Sequence, residues 1–296
     1  MSEEIKRATG LLIIEVVNSN PNGDPDRESD PRQRPNELGE ISPVSFKRKL
    51  RDLLEDEEGV VYKHLSEKLQ LEKDKYQILE SKSVGIEVAR KDIKAGTFKE
   101  KYWDGRVFGN TILEKEMDKD TIKTGVAQFV VGVSISKINI QRHTNTQKVN
   151  KEDPKKSGGM SPLAYRFVEH GVYVMPFYIN PSNAHKSGCT AKDIDLLKAL
   201  IPYAYDHTRS AIRPDVRIRH AWYMEHKNSL GSCPDYLLVE TLTPKRKGTD
   251  PLAPSTCWAD YDDETARLPK VLEDKLGSKC IDLMETSDAT CSQCEG

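Results

Sequence analysis

The fold follows from one apolar run, Gly10-Leu-Leu-Ile-Ile-Glu-Val-Val17, and from the turn behind it, Asn18-Ser-Asn-Pro-Asn-Gly-Asp-Pro-Asp26. The run is short, continuous and rich in β-branched side chains, which predicts a buried strand. The turn contains an Asn-Gly step and two steps in which Asn or Asp precedes proline. These steps favour a tight, structured turn over a random loop.

Two helices are predicted beyond this turn. The first covers residues 45–57, with Ser42 or Ser45 available as its N-cap. Its apolar residues lie at helical spacing: Phe46, Leu50, Leu53 and Leu54. The second begins after Thr190, a suitable cap with Asp193 three residues on. Its apolar face is formed by Ile194, Leu197, Leu200 and Ile201.

Further strands are predicted from alternation or β-branched content at residues 126–140, 172–179, 217–226 and 236–242. Pro176 lies inside one of them, which predicts an edge position or a bulge. The resulting series of strand, helix, strand, strand, helix, strand is a βαββαβ pattern. It predicts an α+β fold on a ferredoxin-like or RNA-recognition-type sheet.

That core would use barely half of the chain. One insertion, residues 58–125, is long and charged and is expected to lack a regular core. Another, residues 142–171, is polar and is expected to form a protruding hairpin or arm. From about Lys245 the chain is polar, with one helix candidate over residues 264–276 and a loose tail after it.

Composition restricts the class of protein. The 296 residues carry 45 Lys plus Arg and 47 Asp plus Glu, a formal net charge of −2, so binding nucleic acid through bulk positive charge is excluded. No apolar run approaches the roughly 20 residues that a membrane-spanning helix needs. The acidic start of the chain does not resemble a secretory signal, and the six cysteines do not form a disulfide pattern. We therefore expect a cytoplasmic protein with reduced thiols and no membrane partner.

A local basic patch could still bind a polyanion. Residues 47–51 contain four cations in five positions, directly after a helix start whose amides and hydroxyls suit phosphate. A solvated amphipathic face explains the same pattern equally well. The predicted arm is also net positive, and a clamp and a mobile lysine-rich loop are both compatible with it. Its cations are Arg142, His143, Lys148, Lys151, Lys155, Lys156 and Arg166.

No catalytic residue, metal site or cofactor is predicted. The alternating acids from Asp24 to Asp30 resemble a calcium loop, but Ser29 replaces the turn glycine and Pro35 the final glutamate. Cys291 and Cys294 lack a second pair at zinc-finger spacing. No phosphate-binding glycine loop and no nucleophile elbow occurs.

Six short motifs occur in a fixed order along residues 10–243. They are Val16-Val-Asn-Ser-Asn-Pro-Asn-Gly-Asp-Pro-Asp26, Ser45-Phe-Lys-Arg-Lys-Leu-Arg51, Trp103-Asp-Gly-Arg-Val-Phe-Gly109, Gly125-Val-Ala-Gln-Phe129, Asp206-His-Thr-Arg-Ser-Ala211 and His226-Lys-Asn-Ser-Leu-Gly231. With them the chain resembles the Cas-seven backbone subunit of the CRISPR Cascade complex, closest to the type I-C or I-B branch. It departs from type I-C members at Ala211-Ile-Arg-Pro-Asp215, where those members often carry Ala-Ala-Arg-Gly.

The resemblance implies a hand-shaped subunit. Residues 1–243 would form a modified ferredoxin-like (RAMP) palm with a web or finger insertion at about 58–125 and a thumb hairpin at about 142–171. Residues 244–296 would be a C-terminal extension. Copies would polymerise along crRNA, the guide RNA, and present it for pairing with target DNA beside CRISPR-associated cap and large subunits. Such a subunit is not an enzyme, because a separate nuclease-helicase destroys the target.

The resemblance also implies the residues that bind RNA. In the family the Ser-x-Lys-Arg helix contacts guide phosphates. The predicted RNA-binding residues are Ser42, Ser45, Lys47, Arg48, Arg51, Asn18, Asn20, Arg142, Lys148, Lys155 and Arg209.

Two other interpretations stay open. One is a metal-dependent ribonuclease that uses Asp24 and Asp26, or a type III-like subunit that cleaves target RNA. The other is a stand-alone RNA-processing factor, which would stay monomeric on RNA.

Overall fold

The computed structural model describes residues 4–81, 84–110, 124–148, 160–262, 267–278 and 280–285. In these ranges the strands are β1 (Ala8–Ser19), β2 (Leu38–Ile41), β3 (Ala127–Phe129), β4 (Gly132–Lys137), β5 (Ile140–Lys148), β6 (Met160–Ile179), β7 (Val216–Glu225), β8 (Lys245–Arg246), β9 (Tyr261–Asp262) and β10 (Cys280–Asp282). The helices are α1 (Pro43–Glu55), α2 (Val60–Leu69), α3 (Ile86–Lys94), α4 (Phe98–Lys101), α5 (Trp103–Phe108), α6 (Ala184–Ser187), α7 (Ala191–Leu200), α8 (Asp235–Leu242) and α9 (Lys270–Leu276). None of these helices is both long and apolar enough to cross a membrane.

β1 is an interior strand of an antiparallel sheet whose order is β10-β7-β1-β6-β4-β2. Leu12 lies opposite Met175 of β6 on one side and opposite Ala221 of β7 on the other. β3 and β5 also pair with β6. The buried strand predicted at residues 10–17 is therefore confirmed, and it extends from Ala8 to Ser19.

Both faces of the sheet are covered, because alternate residues of β1 point to opposite sides. Leu12 and Ile14 belong to the larger core, which includes Phe46 of α1 and Leu197 of α7. Leu11 and Ile13 belong to a second core on the other face. That core is completed by residues from α8 and the C-terminal segment: Leu238, Leu242, Tyr261, Leu268 and Leu276.

The two predicted helices are confirmed. Ser42 is the N-cap of α1, and its hydroxyl accepts a hydrogen bond from the backbone N–H of Ser45 (3.1 Å). Thr190 and Asp193 form a reciprocal capping box at the start of α7. Because these caps satisfy amides that have no partner within the helix, they fix where each helix begins.

Of the two alternatives predicted from Pro176, the edge position is wrong, since β6 lies between β1 and β4, whereas an irregularity of the bulge type is present beside it. The carbonyl of Pro176 accepts from the N–H of Val130 (2.9 Å). In an antiparallel sheet the carbonyl and the amide nitrogen of one residue point towards the same neighbouring strand. The nitrogen of Pro176, which carries no hydrogen, therefore points towards the junction between β3 and β4. Residues 130–132 there oppose only two residues of β6, and this irregularity accommodates the proline.

The strand predicted at residues 236–242 is also wrong, because this segment forms α8. Leu238 and Leu242, four residues apart, are fully buried on one side of the helix. The hydroxyl of Thr241 donates to the carbonyl of Leu237, which satisfies it within the helix (2.6 Å). Packing against the second face of the sheet thus outweighs the β propensity of the segment.

The insertion after α1 has a regular structure, contrary to expectation. Its described part, residues 58–81 and 84–110, contains α2 to α5 and a small core of its own. That core includes Leu79, Phe98 and Tyr102. These helices are short, and lysines and glutamates occupy their exposed sides. The periodic spacing of their apolar residues was therefore not evident from the sequence.

The predicted hairpin is present in the part that is described, because β5 pairs with β6 from Ile140–Val168 to Lys148–Met160. Its tip, residues 149–159, lies outside the described residues. The C-terminal segment packs on the sheet, and β10 pairs with β7. Residues 263–266, at the start of the predicted helix 264–276, and the predicted loose tail from residue 286 are not described.

Candidate nucleic-acid interface

The turn after β1 is docked onto the start of α1. The side-chain oxygen of Asn22 accepts a hydrogen bond from the backbone N–H of Ser42 (2.7 Å). Asp24 caps a short 3-10 helix by accepting from the N–H of Asp26 (3.2 Å). The structured turn predicted from the Asn and Pro steps is confirmed, and it frames the N-terminal end of α1.

Two lysines lie on opposite flanks of α1, about 200° apart around its axis. Lys47 is partly buried, with its Nζ 5.1 Å from the centre of the Phe108 ring. The side chain of Lys49 is only 12% exposed, and its Nζ is 3.9 Å from Asp52. Burial lowers the pKa of both lysines, and the nearby cations Arg51 and Arg213, respectively, lower them further. Glu80 acts to raise the pKa of Lys47, and Asp52 that of Lys49, but neither acid outweighs burial. Among the described residues Lys47 has no ion pair and Lys49 has one acid at 3.9 Å, so both sites favour an added anion.

Arg48 and Arg51 are engaged with acids of the protein. Arg48 pairs with Asp52 (2.6 Å) and Glu55, and it also donates to a carbonyl of the insertion. Arg51 is 3% exposed and bonds Asp104 (2.9 Å), as well as pairing with an acid of the insertion. Both arginines therefore bond the insertion, but only Arg51 does so from a buried position, while Arg48 lies at the solvent side of the helix.

The turn that precedes β7 lies beside the turn that follows β1. The N–H of Asn20 donates to the carbonyl of Ile212 (2.8 Å), and the N–H of Val17 donates to that of Asp215 (3.0 Å). This brings Arg213 close to Lys49. The Nε of Arg213 is buried without a hydrogen-bond partner among the described residues. Arg213 was not among the predicted site residues, and only its place in the departing Ala211–Asp215 stretch marked it.

The remaining predicted residues of the two turns occupy different environments. Asn18 is exposed and has a left-handed backbone (φ 42°). Asn20 is buried, and its amide donates to the carbonyl of Ser29 (2.8 Å). Arg209 is largely exposed and pairs with Asp206 (2.8 Å). All three lie around the same end of β1 as Lys49.

The base of the hairpin is tied to the same turn. Arg142 pairs with the buried Asp30, and Arg166 pairs with Glu28 and with Asp30 (3.4 Å). The side chain of Arg142 is nevertheless 68% exposed. The side chain of Lys148 and all of Lys155 lie outside the described part of the structure.

The Trp103–Gly109 and Gly125–Phe129 motifs have structural roles. Asp104 accepts from the N–H of Leu79 (2.7 Å), and Arg106 pairs with Asp193 of α7 (2.7 Å). A Cβ on Gly125 would lie 2.3 Å from the carbonyl oxygen of Val107, so only glycine fits there. These motifs lock the insertion between α1 and α7 and thereby position Lys47 and its neighbours.

A second polar cluster lies on the other face of the sheet. Buried Glu15 interacts with His170 (3.2 Å) and Arg219 (2.7 Å). Burial acts to raise the pKa of Glu15, but the hydrogen bond from His170 and the charge of Arg219 outweigh it and lower that pKa. His170 in turn contacts Ser255 of the C-terminal segment (2.7 Å), so this cluster attaches that segment to the sheet.

The described residues contain no group of three or more His, Cys, Asp or Glu side chains placed to hold a metal ion. What the arrangement can do chemically is bind phosphates. A polynucleotide backbone that crosses the start of α1 would meet one cation on each flank. Such contacts depend on charge and are independent of base sequence.

A family model described as "CRISPR-associated protein Cas7" matches residues 6–266 of this chain. None of the curated proteins compared with the chain matches it significantly. Among solved structures, a chain of a "CRISPR RNA-guided surveillance complex, pre-nicking" is 13% identical with a TM-score of 0.49, covering 82% of this chain and 84% of that one. A chain of another "CRISPR RNA-guided surveillance complex" is 15% identical with a TM-score of 0.41, covering 84% and 78%. A chain of the "Type III-B Cmr-beta bound to cognate target RNA" is 14% identical with a TM-score of 0.37, covering 74% and 61%.

Proposed function

Because the chain belongs to the Cas7 family of CRISPR-associated proteins, we propose that it is a crRNA-binding backbone subunit of a CRISPR effector complex. More specifically, we propose a type I Cascade surveillance complex of the I-C or I-B branch. Copies of the chain would polymerise along crRNA and present it for pairing with target DNA. CRISPR-associated cap and large subunits would complete the complex in the cytoplasm.

The observation that carries this proposal is the pair of poorly compensated cation sites beside the start of α1. Lys47 lies on one flank, and Lys49 with Arg213 lies on the other. Lys49 has only one distant acid, and Arg213 makes no ion pair among the described residues. On a chain with a net charge of −2, this local concentration of positive charge is where a phosphate backbone would be held.

The other predicted residues take different roles in this proposal. Arg51 positions α1 through Asp104, since its charge is already paired and buried. Arg48, Arg142 and Arg209 are exposed enough to exchange an acid partner for a phosphate. Ser42, Ser45, Asn18 and Asn20 shape the surface around the helix start.

We assign the fold elements to the parts of the hand that the sequence resemblance implies. The strand order β7-β1-β6-β4, with α1 and α7 on one face, would be the modified ferredoxin-like palm. The helical insertion would be the web or fingers, and the β5–β6 hairpin the thumb. The sheet face opposite α1 would not bind RNA, because α8 and the C-terminal segment cover it.

The test is RNA binding as a function of salt. We expect the triple variant Lys47→Ala/Lys49→Ala/Arg213→Ala to bind guide RNA more weakly, with a slope of log affinity against log salt that is shallower by about 2. The matched control, Lys63→Ala/Lys73→Ala/Lys75→Ala, removes three exposed lysines elsewhere and should leave the slope nearly unchanged. An unchanged slope in the first variant would place the RNA elsewhere.

We also propose that the chain is not an enzyme. Asp24, one of the two acids that the ribonuclease alternative would use with Asp26, accepts a hydrogen bond that caps the turn after β1. Incubation of the protein and labelled guide or target RNA with Mg²⁺ or Mn²⁺ should give no products. Cleavage that is lost in Asp24→Asn would contradict this and favour the ribonuclease or the type III-like subunit.

A further inference from the structure

Two arginines lie directly opposite each other at the base of the hairpin. Arg142 of β5 faces Arg166 of β6 in the register of the two strands. Like charges that are directly opposite in a sheet repel each other, so this placement needs a compensating group. Asp30, from the turn after β1, supplies it, because its carboxylate pairs with both arginines.

The carboxylate of Asp30 is held in place by that turn. Its side chain is only 10% exposed. The N–H of Asp30 donates to the carbonyl of Arg27 (2.9 Å), and the carbonyl of Asp30 accepts from the N–H of Asp24 (2.7 Å). Asn22 of the same turn accepts from the N–H of Ser42 at the start of α1 (2.7 Å). Asp30 therefore connects the base of the hairpin to the start of α1.

The two arginines differ in how firmly they are held. The side chain of Arg166 is 18% exposed, pairs with Glu28 as well as Asp30, and donates to the carbonyls of Arg27 and Glu28. The side chain of Arg142 is 68% exposed, and within the described chain it bonds only Asp30. An ion pair with such an exposed partner contributes little to stability. Arg142 can therefore leave Asp30 much more easily than Arg166 can.

A phosphate group can replace Asp30 as the partner of Arg142. Phosphate and carboxylate oxygens both accept paired hydrogen bonds from a guanidinium group. When Arg142 leaves, the buried carboxylate keeps Arg166, whose Nε lies 3.4 Å from it. The exchange therefore avoids the large cost of an uncompensated buried charge.

We propose that Asp30 is a positioning residue for RNA binding, which holds Arg142 in the free protein and releases it to a phosphate of the guide backbone. Asp30 thus competes with RNA for Arg142, while Arg166 stays in place. A phosphate wins this competition when the backbone is already bound at the start of α1, because tethering raises its effective concentration. This inference rests on the proposed function, and it adds a residue that lies outside the basic motif of α1.

A double-mutant cycle on the affinity for guide RNA tests the exchange. Asp30→Asn should tighten binding about two- to fivefold, because the competing charge is removed. Arg142→Ala should weaken binding about three- to tenfold and make the slope of log affinity against log salt shallower by about 0.7. In the Arg142→Ala background, Asp30→Asn should have almost no effect, because Asp30 acts through Arg142.

Glu28→Gln is the matched control, since it removes one negative charge from the same turn at a residue that pairs with Arg166 instead. It should change the affinity less than Asp30→Asn does. An effect of Asp30→Asn that is equally large with and without Arg142 would show that Asp30 acts only through its overall charge, and this overturns the inference. Weaker binding by Asp30→Asn would assign it a structural role and has the same consequence.

Thermal unfolding shows whether Asp30→Asn is folded at the temperature of the assay. If it is not, Arg142→Ala decides alone, because an unchanged affinity and salt slope in that variant overturns the exchange. Failure of the wild-type protein to bind guide RNA would instead contradict the proposed function.

Discussion

Individual side chains of α1 divide into those that hold the fold and those that remain available to a ligand. Arg48 and Arg51 belong to the same basic motif, yet the side chain of Arg51 is buried against Asp104 and that of Arg48 is 37% exposed. A buried ion pair that loses one partner leaves an uncompensated charge, whereas a surface pair contributes little.

We therefore expect Arg51→Ala to lower the free energy of unfolding by about 3–5 kcal/mol. Arg48→Ala should lower it by less than about 1 kcal/mol. Urea unfolding monitored by tryptophan fluorescence measures both. Equal losses in the two variants would contradict the assignment of Arg51 as the buried link between α1 and the insertion.

His226 makes stability depend on pH. Burial lowers its pKa most, the charge of Arg7 lowers it further, and nearby Asp235 only partly opposes this. The folded protein therefore favours the neutral ring, and the unfolded chain binds the proton more readily below its usual pKa of about 6.5. Thr9 and Ser232 are the neutral groups that face the ring.

The contribution of His226 to the free energy of unfolding should therefore be fully present above about pH 6.5. It should be lost as the pH is lowered from 6.5 towards the pKa of His226 in the folded protein. The urea midpoint between pH 7.5 and 5.5 measures the fall, and NMR titration of the ring locates its pKa. A ring that titrates above 6.5 in the folded protein would reverse the sign and exclude this explanation.

At the level of elements, β1 packs against a core on each of its faces, and it has no room for a larger side chain at Gly10. A Cβ on Gly10 would lie 2.0 Å from the ring of Phe177, its partner on β6. That ring is stacked on Phe129 at 4.9 Å and has little room to move. We expect Gly10→Ala to destabilise the protein by about 1–3 kcal/mol.

Thermal unfolding of Gly10→Ala measures this, with Gly85→Ala as the control, since no atom lies within 4 Å of a Cβ built there. Phe177→Leu should partly rescue Gly10→Ala by removing the clash. A Gly10→Ala protein as stable as the wild type would show that β6 can shift away from β1.

The elements that the sequence predicted correctly are those with local signals. β1, α1 and α7 have continuous apolar runs or caps, and these patterns are decided by nearby residues. α8 was mistaken for a strand because its six apolar and β-branched residues fit both structures, and only packing of Leu238 and Leu242 on the sheet decides between them. Likewise, Pro176 could be placed in an interior strand only once the bulge opposite it was seen.

The sequence could outline the candidate site for the same reason. The basic motif and the Asn-rich turn were visible in the sequence. The sequence could not show which of these cations pair with an acid of the protein. Asp104 and Glu80, which pair with Arg51, come from an insertion that is distant in the sequence. Arg213 was missed because the contact that brings it to Lys49 depends on the pairing of β7 with β1.

On the scale of the whole molecule, the chain offers different surfaces for different partners. The start of α1 and the base of the hairpin lie around the turn after β1, whereas the loop that follows β7 lies at the opposite end of that strand. The second face of the sheet is covered by the chain itself. In the proposed function, RNA would therefore be held at the end of β1 where α1 begins, and not on the second face of the sheet.

The mass of the protein complex on a full-length guide RNA, determined by native mass spectrometry, bears most directly on this arrangement. We expect several copies of the chain on each guide, and a shorter guide should carry fewer. Lys47→Ala/Lys49→Ala/Arg213→Ala should leave the guide largely free. A single copy per guide whatever its length, or full occupancy by the triple variant, would contradict a backbone subunit that grips RNA beside the start of α1.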